Sequence, residues 1–209
     1  MSYDNFATTF SNSRKNHPWP ELDVIIEDIH SEGYTSVLDI GCGNGRFLEN
    51  YESRVSSHEF LYLGLDSSEG MIAEARKIHP EFDFAVCPME LISTHPSILL
   101  SRYSAIIFLA SFHHLETRES RIQTLEEAKK LLAPNGSIYM TNWNLRDQPR
   151  YETSHRGNGD YDIKIGEFSR YYHGFTLEEL AGLFTETGYH IITHELSPSG
   201  RNIYSKLQL

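Results

Sequence analysis

Apolar positions along this chain switch repeatedly between helical and strand-like spacing. Leu22, Ile25, Ile26 and Ile29 recur at helical intervals after Pro20, a residue suited to a first helical turn, and Gly33 closes the run. Val37 to Ile40 is short and apolar, as in a buried strand, and Phe47 and Leu48 follow on a short helix. Phe60 to Leu65 predicts a second strand. Met71, Ile72, Ala75 and Ile78 predict a helix from Ser68 that Pro80 stops. Phe82 to Val86 reads as a third strand, and the unbroken run Ala105 to Leu109 suits a central strand covered on both faces. A long amphipathic helix covers about Arg118 to Leu132, with Ile122, Leu125, Ala128, Leu131 and Leu132 on one stripe. Pro134-Asn135-Gly136 then turns the chain into a strand from Ser137 to Thr141.

From Asn144 to Tyr172 the periodicity fails. The stretch is rich in Arg, Asp, Gly, Tyr and His and too long for an ordinary loop in a compact domain, so 144–172 is read as a substrate-facing insertion or lid. Thr176, with Glu179 completing a capping box, starts a helix to about Thr187, and Gly188 ends it. Two antiparallel strands follow, near His190 to Leu196 and Arg201 to Gln208. The fold expected is α/β: a Rossmann-like, seven-stranded, mostly parallel sheet with helices on both faces and an antiparallel C-terminal strand pair. It forms a single domain over 1–209, with 1–35 an N-terminal cap segment and helix.

Composition trims the functional choices. A chain of 209 residues can bury a sizeable core. Its formal net charge of −11 argues against a large sequence-independent nucleic-acid footprint, DNA included, while leaving room for a local basic patch or a partner that supplies one. No apolar run approaches the roughly 18 residues of a membrane span, and Met1 to Phe10 is unlike a targeting peptide. The expectation is a cytoplasmic protein without membrane contact. Cys42 and Cys87 have neither metal-ligand nor redox spacing, and the 11 histidines show no helical pair with an adjoining carboxylate, so no metal is expected.

The chemistry concentrates in Val37-Leu38-Asp39-Ile40-Gly41-Cys42-Gly43-Asn44-Gly45. Glycine at 41, 43 and 45 lets a bound molecule lie against the backbone where strand becomes helix. A dinucleotide fingerprint counted from Gly41 needs its third glycine at 46, where Arg46 stands. Asp66, ending the second strand, is placed to accept hydrogen bonds from two ribose hydroxyls, with Ser67 beside it. The Asp-x-Gly-x-Gly-x-Gly spacing resembles that of class I S-adenosylmethionine-dependent methyltransferases. That resemblance implies S-adenosyl-L-methionine as cofactor, held by Asp39, Gly41, Gly43, Gly45, Asp66 and Ser67. Asp39 and the Ala110 carbonyl would meet its ammonium. The usual adenine-binding Asp after the third strand has Cys87 as its counterpart, and Pro88 has no N–H to offer, leaving Met89 to cover the ring and Glu90 to accept from the amine.

Closer matches lie outside that motif. Phe10-Ser11-Asn12-Ser13-Arg14-Lys15-Asn16-His17-Pro18-Trp19-Pro20, His113-His114 with Thr117-Arg118-Glu119 and Arg121, and Arg170-Tyr171-Tyr172-His173 occur in order along the chain. Together they resemble the tRNA wobble-uridine carboxymethyl (carboxymethyluridine) methyltransferases, although the family's late Asn-Trp is Asn202-Ile203 here. The resemblance implies a carboxylate acceptor on tRNA and a small zinc-binding activator subunit. A carboxylate is ionised at neutral pH and needs cations to orient it rather than a base. Arg14, His113, Arg170 and Tyr171 are therefore assigned to the methyl-transfer centre. Trp19, His114, Tyr172, His173, Arg201 and Asn202 are assigned to the acceptor. Adjacent residues leaving a strand face opposite ways, so only one of His113 and His114 should reach the reacting atoms. Two alternatives stay open: a small carboxylate or hydroxyl metabolite as acceptor, and a non-catalytic S-adenosylmethionine-binding regulator.

Overall fold

The computed structural model describes residues 19–52, 61–96, 98, 102–165 and 168–209. In chain order the elements are α1 (Pro20–Ser31), β1 (Ser36–Ile40), α2 (Arg46–Glu52), β2 (Leu61–Asp66), α3 (Glu69–Ile78), β3 (Asp83–Val86) and β4 (Tyr103–Leu109). They continue with α4 (Arg118–Leu131), β5 (Leu132–Trp143), β6 (His155–Gly157), β7 (Asp160–Ile165), β8 (Phe168–His173), α5 (Leu177–Glu186), β9 (His190–Leu196) and β10 (Asn202–Gln208). Seven strands pair in the order β3-β2-β1-β4-β5-β10-β9, parallel from β3 to β5, with β10 antiparallel to both its neighbours. This is the expected doubly covered α/β sheet. None of the described helices is long and apolar enough to cross a membrane.

Strand alternation divides the core in two. Val37, Ala105, Ile107 and Tyr139 face one side, where Ile25 and Ile29 of α1, Phe47 of α2 and Ile72 of α3 cover them. Leu38, Ile106, Phe108 and Met140 face the other, against Leu125 and Ala128 of α4 and Leu180 and Phe184 of α5. Parallel neighbours need helical crossovers, and every crossover returns the chain so that the carboxyl ends of β1, β2, β3 and β4 lie along one edge. Strand order reverses between β1 and β4, the place where open α/β sheets leave a crevice.

The aperiodic stretch has structure of its own. Strands β6, β7 and β8 form a three-stranded antiparallel sheet over a small cluster of Leu145, Tyr161, Ile163 and Tyr172. Its alternation runs for only a few residues and its outward positions are charged, which hides the period from a sequence window. The cap on α5 also differs from expectation. Thr176 accepts the Glu179 N–H at 3.0 Å, but the Glu179 carboxylate turns away to accept from His173 Nε2 at 2.8 Å, so only half the box forms.

Candidate active site

The strand ends open into one cavity of about 480 Å³, within the roughly 300–1,000 Å³ of small-ligand sites. The glycine loop forms its floor. Gly41 and Cys42 both donate their N–H to the Leu65 carbonyl, at 2.7 and 2.9 Å, which folds the loop back over β2. Gly41 has φ +75°, and a Cβ there would lie 2.4 Å from the Ser111 Cβ, so both conformation and close approach require glycine. Ser111 in turn donates to the Ile40 carbonyl at 2.6 Å, locking the ends of β1 and β4 together. Gly43 lines the cavity as well. Gly45, assigned above to the cofactor, does not: a Cβ there would meet the His79 ring at 2.8 Å, so its role is to let α2 pack against the end of α3.

Two carboxylates sit on this floor. Asp66 accepts the Gly43 N–H at 3.0 Å on one oxygen and the Ser68 N–H at 2.9 Å on the other, fixing loop and helix start around a group that lines the cavity. Asp39 is fully buried; Tyr62 donates to its Oδ2 at 2.8 Å, while Oδ1 has no hydrogen-bond partner among the described residues. Burial pushes its pKa up to about 7, against the pull of the Tyr62 hydrogen bond. A buried acceptor left open on a cavity wall calls for a cationic partner such as an α-ammonium. Ala110, at φ +51°, is held by its N–H to the Thr141 carbonyl and hydroxyl, both at 3.0 Å, and lines the cavity with Ser67. Met89 also lines it, but Glu90 does not, and the Glu90 carbonyl is taken by Gln123.

The rest of the lining is rich in cations and aromatic rings. Arg46, Arg150, Lys164, Arg170 and Arg201 line the cavity against the two carboxylates, in a chain of net charge −11. Trp143 stacks on Tyr172 at 5.0 Å and 15°, and on Tyr151 at 6.2 Å and 19°. Arg46 lies over the Trp19 ring at 4.7 Å, so one face of that indole is already covered. Burial lowers the Arg170 pKa to about 9, which leaves the guanidinium charged at neutral pH. Asn202 lines the wall and donates to Glu21 at 3.0 Å. Arg14 lies outside the described residues, as does all of the cap segment before Trp19.

Strand β8 corrects two assignments. Arg170 and Tyr172 point into the cavity; Tyr171 and His173, one residue out of phase, point away from it. Tyr171 donates to Asp160 at 2.6 Å and accepts from Arg121 at 3.1 Å, and His173 bridges Asp160 and Glu179 at 2.8 Å each. Both belong to a polar network that anchors the small sheet to α4 and α5. The histidine pair is reversed too. Phe112–His114 is a 3-10 turn rather than an extended exit, and it puts His114 on the cavity wall with His113 wholly buried behind it. His114 donates from Nδ1 to the Tyr171 carbonyl, and burial lowers its pKa to about 4, so Nε2 is an unprotonated acceptor. His113 accepts the Trp143 N–H at 3.2 Å, which places its proton on Nε2.

Sequence reasoning missed Trp143, Tyr151, Arg150 and Lys164. Trp143 ends β5, Arg150 and Tyr151 lie on a 3-10 turn at Pro149–Ser154, and Lys164 is on β7, all within or beside the stretch whose periodicity fails in the sequence.

A structure titled as an S-adenosylmethionine-dependent methyltransferase from Clostridium acetobutylicum superposes with a TM-score of 0.73 at 13% identity, covering 99% of this chain and 98% of that one. Residues 37–136, from β1 through the glycine loop and into β5, match the family described as a methyltransferase domain. Over that span the chain carries a methyltransferase domain, on a fold shared with S-adenosylmethionine-dependent methyltransferases. Asp39, Gly41, Gly43, Asp66 and Ala110 fit that cofactor on their own geometry, above all through the open Asp39 oxygen. The chain is also similar to the tRNA (carboxymethyluridine(34)-5-O)-methyltransferase of Schizosaccharomyces pombe, 25% identical over 221 residues that cover 92% of this chain and 88% of that protein. The Mus musculus protein of the same name is 27% identical over 152 residues, 73% of this chain, but the chain spans only 21% of that relative's length.

Proposed function

We propose that this methyltransferase esterifies a carboxymethyl group on the wobble uridine of tRNA. One observation carries the reading: a single cavity joins the cofactor carboxylates Asp39 and Asp66 to Arg170 and the stacked rings of Trp143, Tyr151 and Tyr172. S-adenosylmethionine, when bound, supplies an electrophilic methyl group on a sulfonium. The chain's task is then to present a carboxylate in line and keep water out. Arg170 orients the carboxylate, the rings hold a splayed base, and the neutral His114 leaves the nucleophile's charge unchallenged. Arg150, Lys164 and Arg201, on the open side, suit neighbouring phosphates. The names of the S. pombe and mouse relatives support the same acceptor. The chain's net acidity favours a partner that adds affinity for RNA, and a small zinc-binding activator subunit fills that role.

The test is tritiated methyl transfer into total tRNA from cells that cannot form the ester, with and without the activator. Label that mild alkali releases as methanol, located at the wobble uridine, is the expected result. Net charge alone favours a small carboxylate acceptor instead; label confined to the metabolite pool would decide for that.

A further inference from the structure

The floor of the cavity continues past Asp66 toward β3. Cys87 donates its N–H to the Asp66 carbonyl at 2.9 Å, so the residues after β3 lie directly beside the carboxylate that faces the sugar. With Asp39 at β1 and Asp66 at β2, a nucleoside running along the strand ends puts its base at β3. Three sulfur side chains line the cavity around that stretch. Cys87 is there itself; Met89 is at the Gly41 side, with its Cε 2.9 Å from where a Gly41 Cβ would be; Met71 is at the Gly43 side, at 3.1 Å by the same measure.

Among the described residues, no side chain in the segment that follows β3 puts a carboxylate or amide into the cavity to read the edge of an aminopurine. Pro88 has no N–H. The Cys87 thiol donates to the Pro88 carbonyl, and burial raises its pKa to about 11, so it offers no anion. Glu90 does not line the cavity. The cavity's two carboxylates stand at the ends of β1 and β2, Asp39 bonded to Tyr62 and Asp66 to Gly43 and Ser68, and serve the ammonium and the sugar rather than the base. Asn44 and Ser67, the uncharged polar residues nearby, belong to the glycine loop and the sugar side.

We infer that Met71, Cys87 and Met89 grip the donor's base by its faces, and that this site does not read the substituent at the purine 6-position. Thioethers are polarisable and pack well on aromatic faces, an attraction that does not distinguish an amino group from a carbonyl. The consequence is a donor site that accepts S-inosyl compounds about as well as S-adenosyl ones.

Calorimetric titration of the full chain with S-adenosylhomocysteine and S-inosylhomocysteine tests this without turnover. Dissociation constants within about threefold of each other are expected, because no hydrogen bond is exchanged at the 6-position. An inosyl compound weaker by about tenfold or more would overturn the inference, that being the cost of one lost charge-assisted hydrogen bond. Cys87→Asp places a carboxylate beside the amine and should create a preference for the adenosyl compound of about tenfold. A ratio unchanged in Cys87→Asp would show that residue 87 does not face the base and would equally overturn it. Met89→Ala should weaken both compounds alike; weakening only one would contradict face-on gripping. Absence of binding by either compound to the wild type would instead remove the nucleoside site itself.

Discussion

Replacing Asp39 by Asn separates what this buried carboxyl contributes to folding from what it contributes to binding. Its pKa stands at about 7 in the folded chain against an ordinary value of 3.8, because burial opposes the charge. The folded state therefore keeps a proton that the unfolded chain releases between about pH 4 and 7, and stability falls as pH rises through that window. A rise from 3.8 to about 7 corresponds to about 4 kcal/mol, fully felt above pH 7. Asn is nearly isosteric, can still accept from Tyr62 and does not ionise. Urea unfolding of Asp39→Asn should therefore gain stability over the wild type by about 3 kcal/mol more at pH 8 than at pH 5, where the folded wild type is already protonated. Cofactor binding should move the other way. The charged carboxylate is what meets an ammonium, so wild-type affinity should drop about tenfold for each pH unit below 7, and the variant should lose both affinity and slope. Parallel stability curves for the two proteins, or undiminished cofactor affinity in the variant, would refute this account.

The remaining predictions follow the same geometry. Arg170→Ala should leave S-adenosylhomocysteine binding unchanged while lowering kcat/KM for methyl transfer by about one to two orders of magnitude, the worth of a hydrogen bond to a charged group. Asp66→Ala frees the Gly43 and Ser68 N–H groups as well as the ribose contact, so calorimetry should show binding weakened by at least about tenfold and thermal melts a lower Tm. Hydrogen bonds from His173 and Tyr171 hold Asp160 below the usual carboxylate range despite partial burial, and His173 does the same for Glu179. The stability these groups supply is present at neutral pH and lost as pH falls through their lowered pKa values. His173→Leu should flatten that acid limb and speed hydrogen exchange in β7 and β8, with exchange elsewhere in the seven-stranded sheet unchanged.

Periodicity and punctuation were enough to specify the seven-stranded sheet. Continuous apolar strands, amphipathic helices and stops such as Gly33, Pro80 and Gly188 are local signals, and each element's type is decided within its own window. The cavity floor was legible for the same reason: Asp39, Gly41, Gly43 and Asp66 line it because they stand where two strands end. Tertiary structure alone decided which cations and aromatic rings line the rest of the cavity. Whether Arg170 or Tyr171 faces the cavity depends on the phase of β8, and that phase is set by pairing with β7 and by burial of Tyr161, Ile163 and Tyr172. The exchange of His113 for His114 depends on a 3-10 turn whose geometry Ser111 fixes through a carbonyl on another strand. Contacts between residues far apart in the chain choose among local conformations that a sequence window leaves nearly equal in energy, and the cationic and aromatic part of the cavity is built almost wholly from such contacts.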